Sequence, residues 1–324
     1  MNHAIVVREL GSADVLHWEP YEIGPPEPGQ VQVRQTAVGL NYIDVYDRTG
    51  LYPRPLPFVP GREAAGVVQA VGRSVRDLKV GQRVAYVHSQ AGTYTQFRNV
   101  AADEVVRIPA GIQDEQAAAM MLKGLTAQFL LRRTFRVQAG QWLLIHAAAG
   151  GVGLILCQWA KALGARVIGV VGHENKVALA RRNGCRHVLL TGRDPLVESV
   201  RKLTRGAMVD VVYDSVGRDT FMDSLDCLKR RGMMVSFGNA SGPPPPIAPG
   251  ELAKRGSLYL TRPTLFNYIA TRAELTSAAR ELFAQVKRGS VRVRIGQRYP
   301  LADAAQAHRD LEARLTTGST VLIP

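Results

Sequence analysis

Ala148, Gly150 and Gly153 occupy the three small positions of a GxGxxG-type turn in the segment LLIHAAAGGVGLILCQWAKALGA. The chemistry such a turn offers is phosphate binding. Gly150 lets the backbone approach a pyrophosphate, and Gly153 lets the following helix pack against the preceding strand. The free N–H groups and dipole at the helix start attract the negative charge. Ala at the first position departs from the pattern but still presents little side chain. A glycine triplet alone carries little weight; its place at the first strand-to-helix crossing of a long alternating pattern makes it specific. An acid that binds ribose hydroxyls usually stands at the second strand tip, about 20 residues beyond the glycines. Here that strand, RVIGVV, runs into Gly172 and His173, Glu174 is displaced from the tip, and Asn175 and Lys176 lead into the next helix. A cation without a tip carboxylate suits a 2′-phosphate, which favours NADPH over NADH. The alternative reading of Lys176 is an ordinary exposed helix lysine.

Other reactive side chains are sparse. Cys157, Cys185 and Cys227 are isolated, with no CxxC pair, and read as small core residues rather than a disulfide framework or a cysteine-rich zinc site. His88 and His146 stand without companion ligands. Lys and Arg outnumber Asp and Glu 41 to 27, a net charge of +14. The basic residues form small scattered clusters (Arg132 and Arg133; Arg181 and Arg182; Lys229, Arg230 and Arg231) with no interleaved aromatics. That is a basic solvated surface rather than a nucleic-acid groove. No apolar run reaches the roughly 18 to 20 residues of a membrane span, and MNHAIVVREL lacks a secretory pattern, so the expected location is cytoplasmic.

The elements that must position these residues follow from periodicity. With 324 residues and 46% hydrophobic content, the chain has room for two domains with buried cores. Residues 1 to about 115 read as short strands (AIVVRE, VQVRQTAVG, AAGVVQAVG, QRVAYV, VVRIP) with no long helical period before Asp114. This predicts a mostly antiparallel, barrel-like domain. The segment DEQAAAMMLKGLTAQFLLRRT then takes helical spacing, with Asp114 as expected N-cap, and bridges the domains. Next come QWLLIHA, ARVIGVV, HVLL, MVDVVYDSV and GMMVSFG, alternating with helical segments, the last of which is DTFMDSLDCLKRR. Strands separated by helices cannot join as hairpins, so they imply right-handed crossovers and a doubly wound parallel sheet. The run 242–246, with four prolines, is a loop. SLYLTR can extend the parallel sheet, and the strands VRVRIGQRYP and STVLIP return to the first domain, making it discontinuous.

The combination AVGLNYIDVYDRTGLYP, PGREAAGVVQAVG, MLKGLTAQFLLRRTF, HAAAGGVG, VVYDSVGRDT, MVSFGNASG and SLYLTRPTL resembles the zinc-independent quinone oxidoreductases of the medium-chain dehydrogenase/reductase superfamily. Within these it is most similar to the bacterial NADPH:quinone reductases related to zeta-crystallin. The motifs keep the family order from about residue 35 onward. The resemblance implies a GroES-like, mostly antiparallel catalytic domain over 1–117 and 265–324, and a Rossmann NADP(H)-binding domain over 118–264. It implies an active-site role for Asn41, with Tyr42, Ile43, Asp44 and Tyr46 in a loop bordering nicotinamide and quinone. Phe129 matches an aromatic that touches the cofactor. Gly151 and Val152 match the diphosphate contact, and Gly172, His173, Asn175 and Lys176 the 2′-phosphate loop. Val216, Phe237, Gly238 and Asn239 match segments flanking the nicotinamide, Arg262 a pocket arginine, and Arg314 a phosphate-binding arginine. Thr191 stands where close relatives commonly carry a Tyr against the adenosine phosphate; the hydroxyl is kept and the stacking area is lost.

Zinc-dependent relatives carry a Cys near Asn41 and a GHE motif, whereas this chain has Asn41 and Gly61, Arg62, Glu63. Without a Lewis acid, an acceptor that is already electron-poor, such as a quinone, makes chemical sense. The protein must hold the nicotinamide against it and stabilise the charge arriving on oxygen. Asn41, Tyr46 and Arg262 are the expected donors, with Tyr46 read either as proton donor or as aromatic packing. Tyr52 lines the substrate entrance or packs its turn. Two alternatives stand beside quinone reduction: an enone or alkenal reductase on the same scaffold, and an RNA-binding role of the zeta-crystallin type. A homodimer is expected from the resemblance and from the strand at 258–261, a candidate sheet edge.

Overall fold

The structure, a computed structural model, describes residues 2–324. It divides into two compact units: Met1–Leu125 with Ile269–Lys287 and Val293–Pro324, and Thr126–Tyr268 with Arg288–Arg292.

The first unit opens with the antiparallel pair β1 (His3–Val6) and β2 (His17–Pro20). Then comes β3 (Gln30–Leu40), whose first half alternates inward and outward residues as a half-buried strand does. Helix α1 (Tyr42–Thr49) follows, then β4 (Glu63–Val71), β5 (Arg83–Val87), β6 (Phe97–Ala101), β7 (Val105–Arg107) and helix α2 (Asp114–Ala118). Helix α3 (Met121–Phe129) carries the chain onward.

Helix α1 corrects the expectation of a loop at 42–46. The Asp44 carboxylate accepts the Asn41 backbone N–H at 2.8 Å, and Gly50, at φ 81°, closes the other end. Eight residues are too few to display a helical period. Asp114 is likewise not the N-cap; Gln113 is. The Asp114 carboxylate instead receives Thr36 Oγ1 and Arg83 Nε, each at 2.7 Å. The single helix expected over 114–134 is two helices followed by one wide turn, Leu130–Thr134. The second helix starts anew because buried Glu63 Oε2 accepts the Leu122 N–H at 2.6 Å, an acid at a helix N-terminus.

The second unit alternates as expected. Its elements are β8 (Trp142–Ile145), α4 (Gly151–Ala162), β9 (Arg166–Val171), α5 (Val177–Arg182), β10 (His187–Leu190), α6 (Leu196–Leu203), β11 (Val209–Asp214), α7 (Phe221–Asp226), β12 (Leu228–Ser236), α8 (Pro249–Lys254) and β13 (Tyr259–Thr261). The strand order is β10-β9-β8-β11-β12-β13 with every pairing parallel. Helices cover such sheets on both faces, so β11 is buried along its whole length. Lys229, Arg230 and Arg231 lie in β12, not at the end of a helix; a register shift against β11 absorbs the extra residues there. All three cysteines are buried and unbridged.

The chain then returns through α9 (Arg272–Lys287), β14 (Ile295–Pro300), α10 (Ala304–Glu312) and β15 (Ser319–Ile323). Strand β15 pairs antiparallel with β3, giving a sheet of order β14-β15-β3-β4-β5-β7 with β6 also on β3. Strands β1, β3, β4 and β5 supply its core together with Leu301, Ala304 and Ala307 around α10.

Candidate active site

In the second unit, the candidate residues lie along one edge, where the parallel strands end. Beyond β8, the turn through Ala147 and Ala148 reaches Gly150, the N-cap of α4, with Gly151 and Val152 in its first turn. A side chain at Gly153 would meet the Ala147 carbonyl oxygen at 2.2 Å, so only glycine lets α4 start this close to the strand. Beyond β9 come Gly172, His173 and the short turn Glu174–Lys176. A Cβ on Gly172 would meet no protein atom within 4 Å. The open space there is what a cofactor backbone approach would use. Beyond β10, the Thr191 N–H continues the ladder to the Val171 oxygen at 2.9 Å.

On the other side of β8, the fully buried Asp214 at the end of β11 holds its own following turn. Its carboxylate accepts the N–H groups of Val216 and Gly217 at 2.7 and 3.1 Å, and the hydroxyls of Thr220 and Ser224 at 2.7 and 3.1 Å. His146 Nε2 lies 2.9 Å from Ser224 Oγ, and burial lowers its pKa. The segment Phe237, Gly238, Asn239 after β12 is laced to that turn: Phe237 N–H donates to Asp214 O at 2.7 Å, and Ala240 N–H to Ser215 O at 3.2 Å. A Cβ on Gly238 would sit 2.4 Å from Ser215 O. Beyond β13, the Arg262 guanidinium donates to Ser236 O at 3.0 Å, which fixes it beside Phe237.

Read along the edge, the order is Thr191, the Gly172–Lys176 turn, Gly150, Val216, Phe237, Arg262. Strand order reverses between β8 and β11, the switch point at which α/β sheets bind ligands. A dinucleotide fits this line, with adenosine at β9 and β10, pyrophosphate over the α4 N-terminus, and nicotinamide at β11 to β13. Phe129 is a buried exception. It stacks on Tyr268 with ring centroids 4.3 Å apart and is 2% exposed.

In the first unit, Asn41 is the N-cap of α1 and is 6% exposed. Its Nδ2 donates to Glu63 Oε1 at 2.8 Å, and the same oxygen receives the Lys123 ammonium at 2.6 Å. Gly39 makes this possible, since any Cβ there would meet Glu63 Oε1 at 2.4 Å. A metal dication does not fit this donor set. The carboxylate already carries a buried ammonium, and Arg62 binds Asp47 through both carboxylate oxygens, at 3.0 and 2.7 Å. Among the described residues no three His, Cys, Asp or Glu side chains converge.

Asp44, buried with Tyr94 Oη donating to it at 3.1 Å, is pushed up to about 7, chiefly by burial. Tyr46 packs between Tyr42 and Tyr52, with centroids 5.4 and 5.2 Å apart. Burial raises the Tyr42 phenol pKa, the Glu312 carboxylate adds to the rise, and the charge of Arg314, just past α10, opposes it. Thus the structure gathers Asn41, Asp44, Tyr42, Tyr46, Tyr52 and Arg314 in one unit, and the edge residues in the other. Sequence reasoning missed Lys123, Asp214 and Arg193. Glu63 entered it only as part of a motif lacking His. Lys123 sits in an ordinary-looking helix, and nothing local in sequence points to a partner 60 positions away.

Two family descriptions match the chain: an alcohol dehydrogenase GroES-like domain over residues 27–110, and a zinc-binding dehydrogenase over residues 151–284. A GroES-like segment followed by a Rossmann segment defines a medium-chain dehydrogenase/reductase. A quinone oxidoreductase of Pseudomonas aeruginosa is 50% identical over 315 residues, 97% of this chain and 97% of its own. A 2-haloacrylate reductase of a Burkholderia species is 44% identical over 329 residues, 99% of this chain and 98% of its own. The Escherichia coli quinone oxidoreductase solved in complex with NADPH matches with a TM-score of 0.98 at 49% identity, covering 99% of this chain and 100% of that one. The chain belongs to the quinone oxidoreductases of that superfamily.

Proposed function

We propose that this protein reduces quinones with NADPH by hydride or electron transfer, without a metal ion and as a cytoplasmic homodimer. The observation that carries the reading is the ordered carboxyl edge of the six-stranded sheet, together with the near-complete match to an NADPH-bound quinone oxidoreductase. When bound, NADPH supplies the reducing equivalents. The chain's own residues do the rest. The α4 N-terminus and Gly150, Gly151 and Val152 hold the pyrophosphate. The turn at Gly172, His173, Asn175 and Lys176, with Thr191, meets the adenosine 2′-phosphate, and Arg314 is a further phosphate-binding cation. Val216, Phe237, Gly238 and Asn239 border the nicotinamide, Arg262 polarises the acceptor oxygen, and Phe129 backs the cofactor wall.

Asn41 and Tyr46 are the candidate donors from the first unit, with Tyr42, Ile43 and Asp44 beside them and Tyr52 on the substrate side. The buried Glu63–Lys123 pair fixes the Asn41 amide through the carboxylate oxygen that they share. The same ammonium supports zinc independence, because it already occupies the carboxylate beside Asn41. A second reading, reduction of activated alkenes, is favoured by the relative named for 2-haloacrylate, an alkene conjugated to a carboxylate. Both acceptors need hydride delivery and a stabilised oxygen.

Purified protein with NADPH and a panel of quinones and enones, followed by loss of nicotinamide absorbance, tests this. Turnover is expected with quinones. Turnover with enones alone would transfer the assignment to the second reading, and none with any quinone would overturn the first.

A further inference from the structure

Arg193 lies outside every motif that identifies the family, yet the structure brings it to the tip of β9. Strands β9 and β10 run in parallel register, with Leu190 level with Val171. Past Leu190 the chain folds into a tight turn. Asp194 N–H donates to Leu190 O at 3.0 Å, the Asp194 carboxylate accepts Leu190 N–H at 2.7 Å, and Gly192 takes φ 79°. Closed from both ends, the turn presents Arg193 toward β9. Its guanidinium donates to Glu174 Oε2 at 2.6 Å, and Glu174 is the first residue of the turn that follows Gly172 and His173. Two cations, Arg193 and Lys176, and two carboxylates, Glu174 and Asp194, therefore share the place where the adenosine ribose is read.

We propose that Arg193 binds the 2′-phosphate of NADPH and that Glu174 is its exchangeable counter-ion, so that the pair sets the preference for NADPH over NADH. This rests on the NADPH reading above. The Arg193 and Glu174 side chains are 59% and 68% exposed, and ion pairs so exposed are weak and readily broken. A phosphate offers more negative charge and three acceptor oxygens, geometry that a guanidinium fork matches. With no phosphate, as in NADH, Glu174 is the group that would accept a ribose hydroxyl, and Arg193 occupies it. The second acid of the cluster, Asp194, is 3.3 Å from Arg193 Nε and is tied to the Leu190 N–H, so it holds the arginine in place without closing the exchange.

The test uses binding, not turnover: dissociation constants of the full-length protein for 2′,5′-ADP and for 5′-AMP, which differ at the 2′ position alone. Wild type is expected to prefer 2′,5′-ADP. Arg193→Ala should weaken 2′,5′-ADP by about tenfold, the scale of one lost charge-assisted contact, and bind 5′-AMP no more weakly than wild type, because it frees Glu174 for the ribose hydroxyl. Arg193→Lys should fall between, because it keeps charge without the fork. Glu174→Ala should tighten 2′,5′-ADP. In the Glu174→Ala background, Arg193→Ala should still weaken it; loss of that effect would mean Arg193 only screens the acid and would overturn the proposal. Unchanged 2′,5′-ADP affinity in Arg193→Ala would overturn it too while leaving the NADPH reading intact. A wild type indifferent to the 2′-phosphate would instead sink the NADPH reading itself. Both residues lie on exposed turns, and unaltered melting temperatures would show that the variants fold.

Discussion

Asp44 and His308 sit on either side of one hydroxyl: Tyr94 Oη is 3.1 Å from Asp44 Oδ2 and 3.1 Å from His308 Nε2. Burial pushes both toward neutrality, Asp44 from 3.8 up to about 7 and His308 from 6.5 down to about 3. The stability that Asp44 contributes is therefore full below pH 3.8 and is lost as pH rises through about 7. That of His308 is full above pH 6.5 and is lost as pH falls through about 3. Across the shared window the two slopes oppose each other. Asp44→Asn keeps an acceptor for Asn41 N–H and Tyr94 Oη but cannot titrate. Its urea midpoint relative to wild type is expected to climb from about pH 4 to pH 7 and to level off above. A difference that stays flat throughout would show an unperturbed carboxyl. Very little of this cluster is legible in the sequence. Asn41 is recognisable from its motif, but Asp44, Tyr94 and His308 are brought together across up to 264 positions only by β3, α1 and α10 packing on one core. The Asn41–Glu63–Lys123 contact is hidden for the same reason. Polar groups buried this far from their partners in sequence leave no local pattern.

Elements whose side chains alternate over a long run were readable, and those set by a few contacts were not. Strands β8 to β12 show their apolar runs and the glycine turn shows its spacing, so the parallel sheet followed directly. Helix α1, strands β2 and β6, and the break between α2 and α3 did not, because each is short and fixed by a cap, a partner strand or the Glu63 carboxylate. The same distinction separates two glycines of the nucleotide edge. Gly153 is required by the fold, as its Cβ would strike Ala147 O at 2.2 Å, whereas Gly172 faces open space. Gly153→Ala is expected to lower both the melting temperature and NADPH affinity, since α4 must shift off the turn that aims its N–H groups. Gly172→Ala should leave the melting temperature within about 0.5 kcal/mol-equivalent of wild type and weaken NADPH alone. Calorimetry paired with a fluorescence titration separates the two. A stability loss in Gly172→Ala would assign that glycine to folding rather than to the cofactor.

At the scale of the whole molecule, β13 is an edge: it pairs with β12 on one side, and among the described residues no strand pairs with it on the other. It is three residues long, and Tyr259 on it is 58% exposed. A two-fold axis through this edge would set two copies of β13 antiparallel and join the two six-stranded sheets, with each Tyr259 covered near the seam. Each copy carries a net charge of +14, so association must overcome long-range repulsion that salt screens, with a Debye length near 8 Å at physiological ionic strength. The expected behaviour is a dimer that tightens as salt is raised from low levels, opposite to a dimer held by ion pairs. Tyr259→Lys removes the apolar cover and brings like charges together at the seam, and should shift the protein to monomer. Light scattering or sedimentation over a range of concentrations and salt reads both effects. A dimer that survives Tyr259→Lys unchanged, or that weakens with added salt, would place the interface on another surface.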